Sequence, residues 1–224
     1  LELITMSNVQ IIKKDIKNIT LKVKPSCEVI LTVPLNTDNR HILYILEKRK
    51  DWIDKKVDFF KSYNKIENKE YVSGESFYYK GKAYRLKIIQ SDNEKVKLLR
   101  GYIQIFIKDK TDKAKKEKML NVWYMKKSKE YFNQILNQYL PIVKKDIKSI
   151  KIRKMKTRWG SCNPKKGYIN LNFDLIKKPK ECVEYVIFHE LVHLVHPNHS
   201  NKFYNFLYTY MPDWKKRKDK LEYK

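Results

Sequence analysis

Apolar and polar positions along this chain switch between two periods, and the switches outline its elements. Residues 20–24 and 28–33 alternate with period two around Pro25-Ser26 and predict a hairpin that Pro34 ends. Asp38 is a candidate N-cap for a helix to about residue 63, with Ile42, Ile45, Leu46, Trp52, Ile53 and Phe60 as its buried stripe. Two more hairpins follow. Residues 77–79 pair with 83–89 about Lys80-Gly81-Lys82, and residues 96–99 pair with 102–108 about Arg100-Gly101. From residue 111 to about 148 the period becomes helical, and Pro141 is expected to kink or restart that helix.

Strand character returns at residues 150–172, reversed by Asn163-Pro164-Lys165-Lys166-Gly167. Pro179 then opens an apolar helix at its first position, where the missing N–H does no harm. Ser200 can cap a further helix carrying Phe203, Phe206, Leu207 and Tyr210, and Pro212 sets off a short basic tail helix. The pattern predicts an α+β chain: a strand-rich lobe with one helix over residues 1–110 and a second lobe over 111–224. The charge-dense stretch 109–118 marks the soft boundary.

The apolar helix carries the candidate chemistry. Val183, Val186, Ile187, Phe188, Leu191, Val192, Leu194 and Val195 leave it hydrophobic on nearly every side, which marks a buried helix. Within it stands His189-Glu190-Leu191-Val192-His193. Residues four apart share a face, so His189 and His193 can offer two imidazoles to one ion. Glu190 is adjacent but turned off the ligand pair, suited to take a proton from a zinc-activated water. Unpaired polar groups in such a helix would each cost roughly 1–3 kcal/mol, and a metal satisfies all three.

A catalytic zinc needs a third protein ligand and one open position. No Asp or Glu lies between Glu190 and Asp213, so the choice falls on His196 or His199. His196 is seven residues after His189, which puts it about 10 Å further along a straight helix axis at ~1.5 Å per residue. Pro197 disfavours helical dihedrals at His196 and stops the helix there. Asn198 tolerates a left-handed turn that would swing His199 back, and the interval from His193 matches that of the zincins with three histidines. The spacing favours His199, with His196 behind the ligands or in the cleft wall. His41 stands apart from this cluster and reads as a surface residue.

Bulk properties narrow the setting. A chain of 224 residues can bury a sizeable core, and no apolar run is long enough for a membrane span. Residues 1–12 lack the basic start and long apolar core of a secretory leader. Three scattered cysteines make neither a metal pair nor a disulfide framework, so a cytoplasmic location is expected. The formal charge of +25 would suit nucleic acid as a partner. Yet most of the basic residues are lysines dispersed over every element, which biased composition also explains.

The series Arg158-Trp159-Gly160-Ser161-Cys162, Gly167-Tyr168-Ile169-Asn170-Leu171-Asn172, the His-Glu-x-x-His helix, Asn198-His199-Ser200-Asn201-Lys202-Phe203 and Met211-Pro212-Asp213-Trp214 resembles the YgjP-like metallopeptidases. These are related to SprT-like and WLM-type zinc peptidases. The resemblance implies a zincin-like lobe, one zinc per chain on His189, His193 and His199, Glu190 as general base, and a peptide or protein substrate. Where the family usually has Phe-Trp, this chain has Phe203-Tyr204. The Arg158–Cys162 stretch implies a substrate-lining edge strand, against which stands a purely architectural role for Trp159, Gly160 and Cys162. Arg158, Trp159, His196 and Tyr204 are candidates for substrate or oxyanion contacts.

Two other functions fit parts of the pattern. A three-histidine endoribonuclease shares the His-x3-His-x5-His interval but lacks the glutamate after the first histidine. A non-catalytic, zinc-stabilised module binding polyanions would instead close the metal site with a fourth protein ligand. SprT-like kinship and the basic charge also raise nucleic-acid-associated proteins as substrates.

Overall fold

The computed structural model describes residues 9–24, 26–67, 69–155 and 157–222, with side chains other than those of residues 59, 62–67 and 222. Pro25, expected in the first hairpin, and most of the stretch read for a leader lie outside the described residues. The chain packs as two compact units, Leu1–Lys69 and Glu70–Lys224.

The first unit holds β1 (Val9–Lys14), β2 (Thr20–Val23), β3 (Val29–Pro34), α1 (Asn39–Lys48) and α2 (Lys50–Glu67). The expected β2–β3 hairpin forms, and β1 adds to the other side of β3 in parallel. Leu31, Val33 and Ile42 form the buried centre of this unit. Where one helix was expected there are two. The Arg49 N–H is shared between the Ile45 and Leu46 carbonyls, which tightens the end of α1.

The second unit opens with β4 (Ser76–Tyr79), β5 (Lys82–Gln90), β6 (Lys95–Leu99) and β7 (Tyr102–Ile107). Lys80 and Gly81, like Arg100 and Gly101, all have positive φ, the backbone that two-residue hairpin turns require. β5 and β7 then pair in parallel, so the sheet order is β4-β5-β7-β6. Ile103, Ile105 and Ile107 of β7 share one core with Phe132, Ile135 and Leu136 of α3 (Lys113–Val143). Residues 70–110 therefore pack with the helices that follow them, and the unit boundary falls at 69/70, not at the 110/111 read from charge density.

The stretch expected at that boundary is the approach to α3. The Asp112 side chain accepts from the Lys115 N–H as N-cap, and buried Lys116 donates to the Lys110 carbonyl. Pro141 lies inside the last turn of α3 without ending it, and Lys144 in left-handed conformation closes the helix.

A second sheet orders β8 (Ser149–Arg153), β10 (Tyr168–Asn172) and β9 (Gly160–Asn163), with β10 parallel to β8 and antiparallel to β9. A 3-10 turn (Phe173–Lys177) leads to α4 (Lys180–Val192), followed by α5 (Asn201–Tyr210) and α6 (Trp214–Glu222). The whole is the α+β architecture that the pattern predicts. Among the described residues no helix is long and apolar enough to cross a membrane.

Candidate metal centre

The site is built on α4, and neighbours on two sides hold the N-terminal part of that helix. Ten of its thirteen residues are buried, as an all-round apolar helix must be. At the N-terminus the Lys80 and Gly81 N–H groups donate to the Ile176 and Lys177 carbonyls. A Cβ on Gly81 would come within 2.8 Å of Pro179 Cα, so the β4–β5 turn can approach only as glycine. Pro179 is the N-cap, one position before its expected place. From the other side, Arg217 of α6 donates to Glu184 Oε2 at 2.6 Å and to both Asp213 oxygens at 2.9 Å. Lys220 pairs with Glu181.

Three imidazoles converge at the far end of α4. One nitrogen from each of His189, His193 and His199 lies within 4.8 Å of the others, and His199 Nε2 is 3.0 Å from His189 Nε2. Nδ1 is engaged in two of them: Tyr185 Oη is 3.5 Å from His189 Nδ1, and the His196 carbonyl is 3.3 Å from His193 Nδ1. A His193 Nδ1–H donating to that carbonyl leaves Nε2 with its lone pair facing the cluster. Burial, then the neighbouring imidazoles, push the His189 pKa down to about 3, and the same causes lower that of His193. Both rings are therefore neutral at physiological pH, the form that binds metal.

Beneath the three rings lies Phe203, fully buried, with its centroid 4.9, 4.7 and 4.8 Å from those of His189, His193 and His199. His199 is exposed, and its ring stacks on Tyr204 (6.0 Å, 22°), which stacks on Trp214 (5.1 Å, 21°). The chain reaches His199 as follows. The last helical bond runs from the His196 N–H to the Val192 carbonyl, and Pro197 can make none. Ser200 N–H then bonds to the Asn198 carbonyl. Asn198 is not left-handed, contrary to expectation, since this tight i, i+2 turn reverses the chain at negative φ. The His196 ring packs near Phe206 (5.6 Å) and stands outside the donor cluster.

Glu190 completes the site. The residue is 6% exposed, and burial pushes its pKa up to about 8, opposed only by the positive charge of Arg158. It lies directly on Gly160 of β9: a Cβ there would sit 2.6 Å from Glu190 Oε1. The chain comes to β9 through a loop tied to buried Asn172, whose amide donates to the Met155 carbonyl (2.7 Å) and the Arg158 carbonyl (3.1 Å). Arg158 itself is exposed, and half-buried Trp159 packs against the core with Lys178 Nζ 5.4 Å from its ring. Burial, and behind it the charge of Glu190, push the Cys162 thiol up to about 12.

β9 is an edge strand, with no strand on its outer side among the described residues. The Asn172 N–H bonds to the Trp159 carbonyl, so by antiparallel alternation Ser161 also faces β10, and Gly160 and Cys162 turn their N–H and C=O groups outward. Tyr185, Phe203, Asn172 and Trp214 escaped assignment from sequence. Tyr185 stands four before His189 and Phe203 four after His199, the helical interval that could have flagged both.

Three imidazoles whose donor nitrogens lie within 4.8 Å of one another, with buried Glu190 nearby, are a group that could hold a metal ion. On this α+β scaffold they form a candidate metal centre. Residues 17–224 match the YgjP-like metallopeptidase domain, and the chain belongs to that family. Among solved structures it is similar to the metallopeptidase zymogen of Methanocaldococcus jannaschii jannalysin, at 28% identity and a TM-score of 0.35, over 42% of this chain and 91% of that one. No curated protein matches the sequence.

Proposed function

We propose that this protein hydrolyses peptide bonds with one zinc ion held by His189, His193 and His199, and that Glu190 is the general base. The observation that carries this reading is the meeting of three imidazoles with the buried Glu190 side chain seated on the open edge strand. When bound, zinc supplies a water acidified to a pKa of about 7 and polarises the scissile carbonyl.

The rest is done by the chain. An extended peptide pairs with the outward Gly160 and Cys162 groups of β9, which sets its carbonyl carbon beside Glu190. Glu190 takes one proton of the attacking water as the oxygen adds to that carbon. The C–N bond then breaks and Glu190 passes the proton to the departing nitrogen, leaving a carboxylic acid and an amine, and the acid's proton then goes to the amine. Arg158 and Tyr204 flank this region from the β9 loop and from α5, and either can donate to the oxygen on which negative charge develops. Trp159 shapes the approach to β9, and His196 acts through its backbone carbonyl on His193.

Zinc analysis together with an unstructured peptide substrate tests the assignment. One zinc per chain, peptide cleavage by the wild type, and unchanged zinc content with no cleavage in Glu190→Gln are expected. RNA cleavage that survives Glu190→Gln would replace the reading with a three-histidine ribonuclease.

A further inference from the structure

The carboxylates of this chain are distributed unevenly around the site. Between Asp146 and Asp174 there is no acidic residue, and none between Glu190 and Asp213. These two segments supply β8, β9, β10, the loop to His199 and α5. The first carries eight Lys or Arg residues. Among them Lys148, Lys151, Arg153, Lys165 and Lys166 are exposed and have no carboxylate within ion-pair distance among the described residues. Exposed Arg158 has none that close among them either, and its charge reaches buried Glu190.

Elsewhere in the same unit some cations are paired with carboxylates, as in Lys113–Glu70, Lys115–Glu94 and Lys127–Glu130. The bare cations are also placed in order. Lys151 and Arg153 lie opposite Asn170 and Asn172, on the face of the sheet turned away from buried Ile169 and Leu171. Arg158 precedes β9, and Lys165 and Lys166 follow it in the turn to β10. A chain laid along the β9 edge would therefore pass a positive charge at each end and a positive face beside it.

We propose that the segment bound along β9 is acidic, an extended stretch of polypeptide rich in Asp and Glu. This rests on the peptidase reading of the site. Two features favour polypeptide over polynucleotide: the strand edge offers alternating N–H and C=O groups at Gly160 and Cys162, which only another backbone of the same repeat can match, and the face beside it carries a single exposed aromatic, Tyr168, where a base-stacking platform would need several. The attraction acts over a Debye length of about 10 Å at 0.1 M salt, which covers both ends of a four-residue strand.

The test measures binding and cleavage separately. Zinc-loaded Glu190→Gln protein is titrated into a fluorescent peptide with Glu flanking residues and into its twin with Gln at the same positions. The Glu peptide should bind at least ~10-fold more tightly in dilute salt, and the gap should close as salt rises past about 0.5 M. It should also close in Lys165→Glu/Lys166→Glu protein. Equal binding of the two peptides overturns the proposal, as does more efficient displacement by a single-stranded oligonucleotide than by unlabelled Glu peptide. Cleavage by the zinc-loaded wild type is then followed on the same pair. Selective binding with no cleavage sinks the peptidase reading and leaves the acidic site standing. Equal cleavage of both peptides does the reverse.

Discussion

Glu190 rests on Gly160. No side chain larger than hydrogen fits between the α-carbon of the edge strand and the carboxylate on α4, because a Cβ at position 160 would meet Oε1, Cγ and Cδ at 2.6–2.9 Å. Gly160 is not in a left-handed conformation, so its smallness is required by this approach and not by its dihedrals. Gly160→Ala must displace the Glu190 side chain or the strand. Zinc content should be retained while kcat falls by roughly 100-fold, since a shift of about 1 Å at a reacting group has that effect. Steady-state kinetics with metal analysis of the same sample checks this.

Among the described residues, Tyr185 is the side chain found on the far nitrogen of His189. Tyr185→Phe keeps the ring and removes the hydroxyl, so the imidazole loses its orienting partner. Zinc affinity measured by chelator competition should fall about 10–100-fold, with little change in thermal stability.

Metal-stripped protein should show an inverted pH response near neutrality. The raised pKa of Glu190 means that the folded state holds its proton up to pH about 8 while the unfolded chain releases it near 4.5. That contribution is complete below pH 4.5 and is lost as pH rises through 8. His189, lowered to about 3, acts oppositely: its contribution is present above 6.5 and lost as pH falls through 3. Between pH 6.5 and 9 only the Glu190 effect of this pair remains. Unfolding free energy of the stripped wild type should therefore drop by roughly 2 kcal/mol over that interval, and that of Glu190→Gln should stay flat. Urea titrations at both pH values decide it.

Arg217 joins buried Glu184 to Asp213 and ties α6 to α4. Arg217→Met leaves Glu184 buried without that cation, which should cost about 3 kcal/mol. The expected drop in Tm is roughly 6–12 °C for a chain of this size.

What could be read from the chain alone was local. Lys80-Gly81 and Arg100-Gly101 announce their hairpins because two consecutive positive-φ residues make that turn and little else. The nearness of His199 to His189 was legible in Pro197, which ends the helical bonding at His196. The parallel pairings β1–β3, β5–β7 and β8–β10 were not, because each joins strands separated by other elements and carries no turn signal of its own. The boundary at 69/70 escaped for a related reason: apolar period marks Ile103 and Phe132 as buried, but not that they share one core. Phe203 shows the limit most directly. Its helical position marks it as core, and only the fold puts three imidazoles around it.

The open side of β9 has a cost that its lysines and arginines offset. An unpaired strand edge is an invitation to any other strand, including the same strand of a second molecule. Two copies meeting edge to edge would bring Arg158, Lys165 and Lys166 of each against those of the other. The surface that draws one kind of chain toward the edge thus turns its own kind away, and the protein can leave a strand uncovered without polymerising through it.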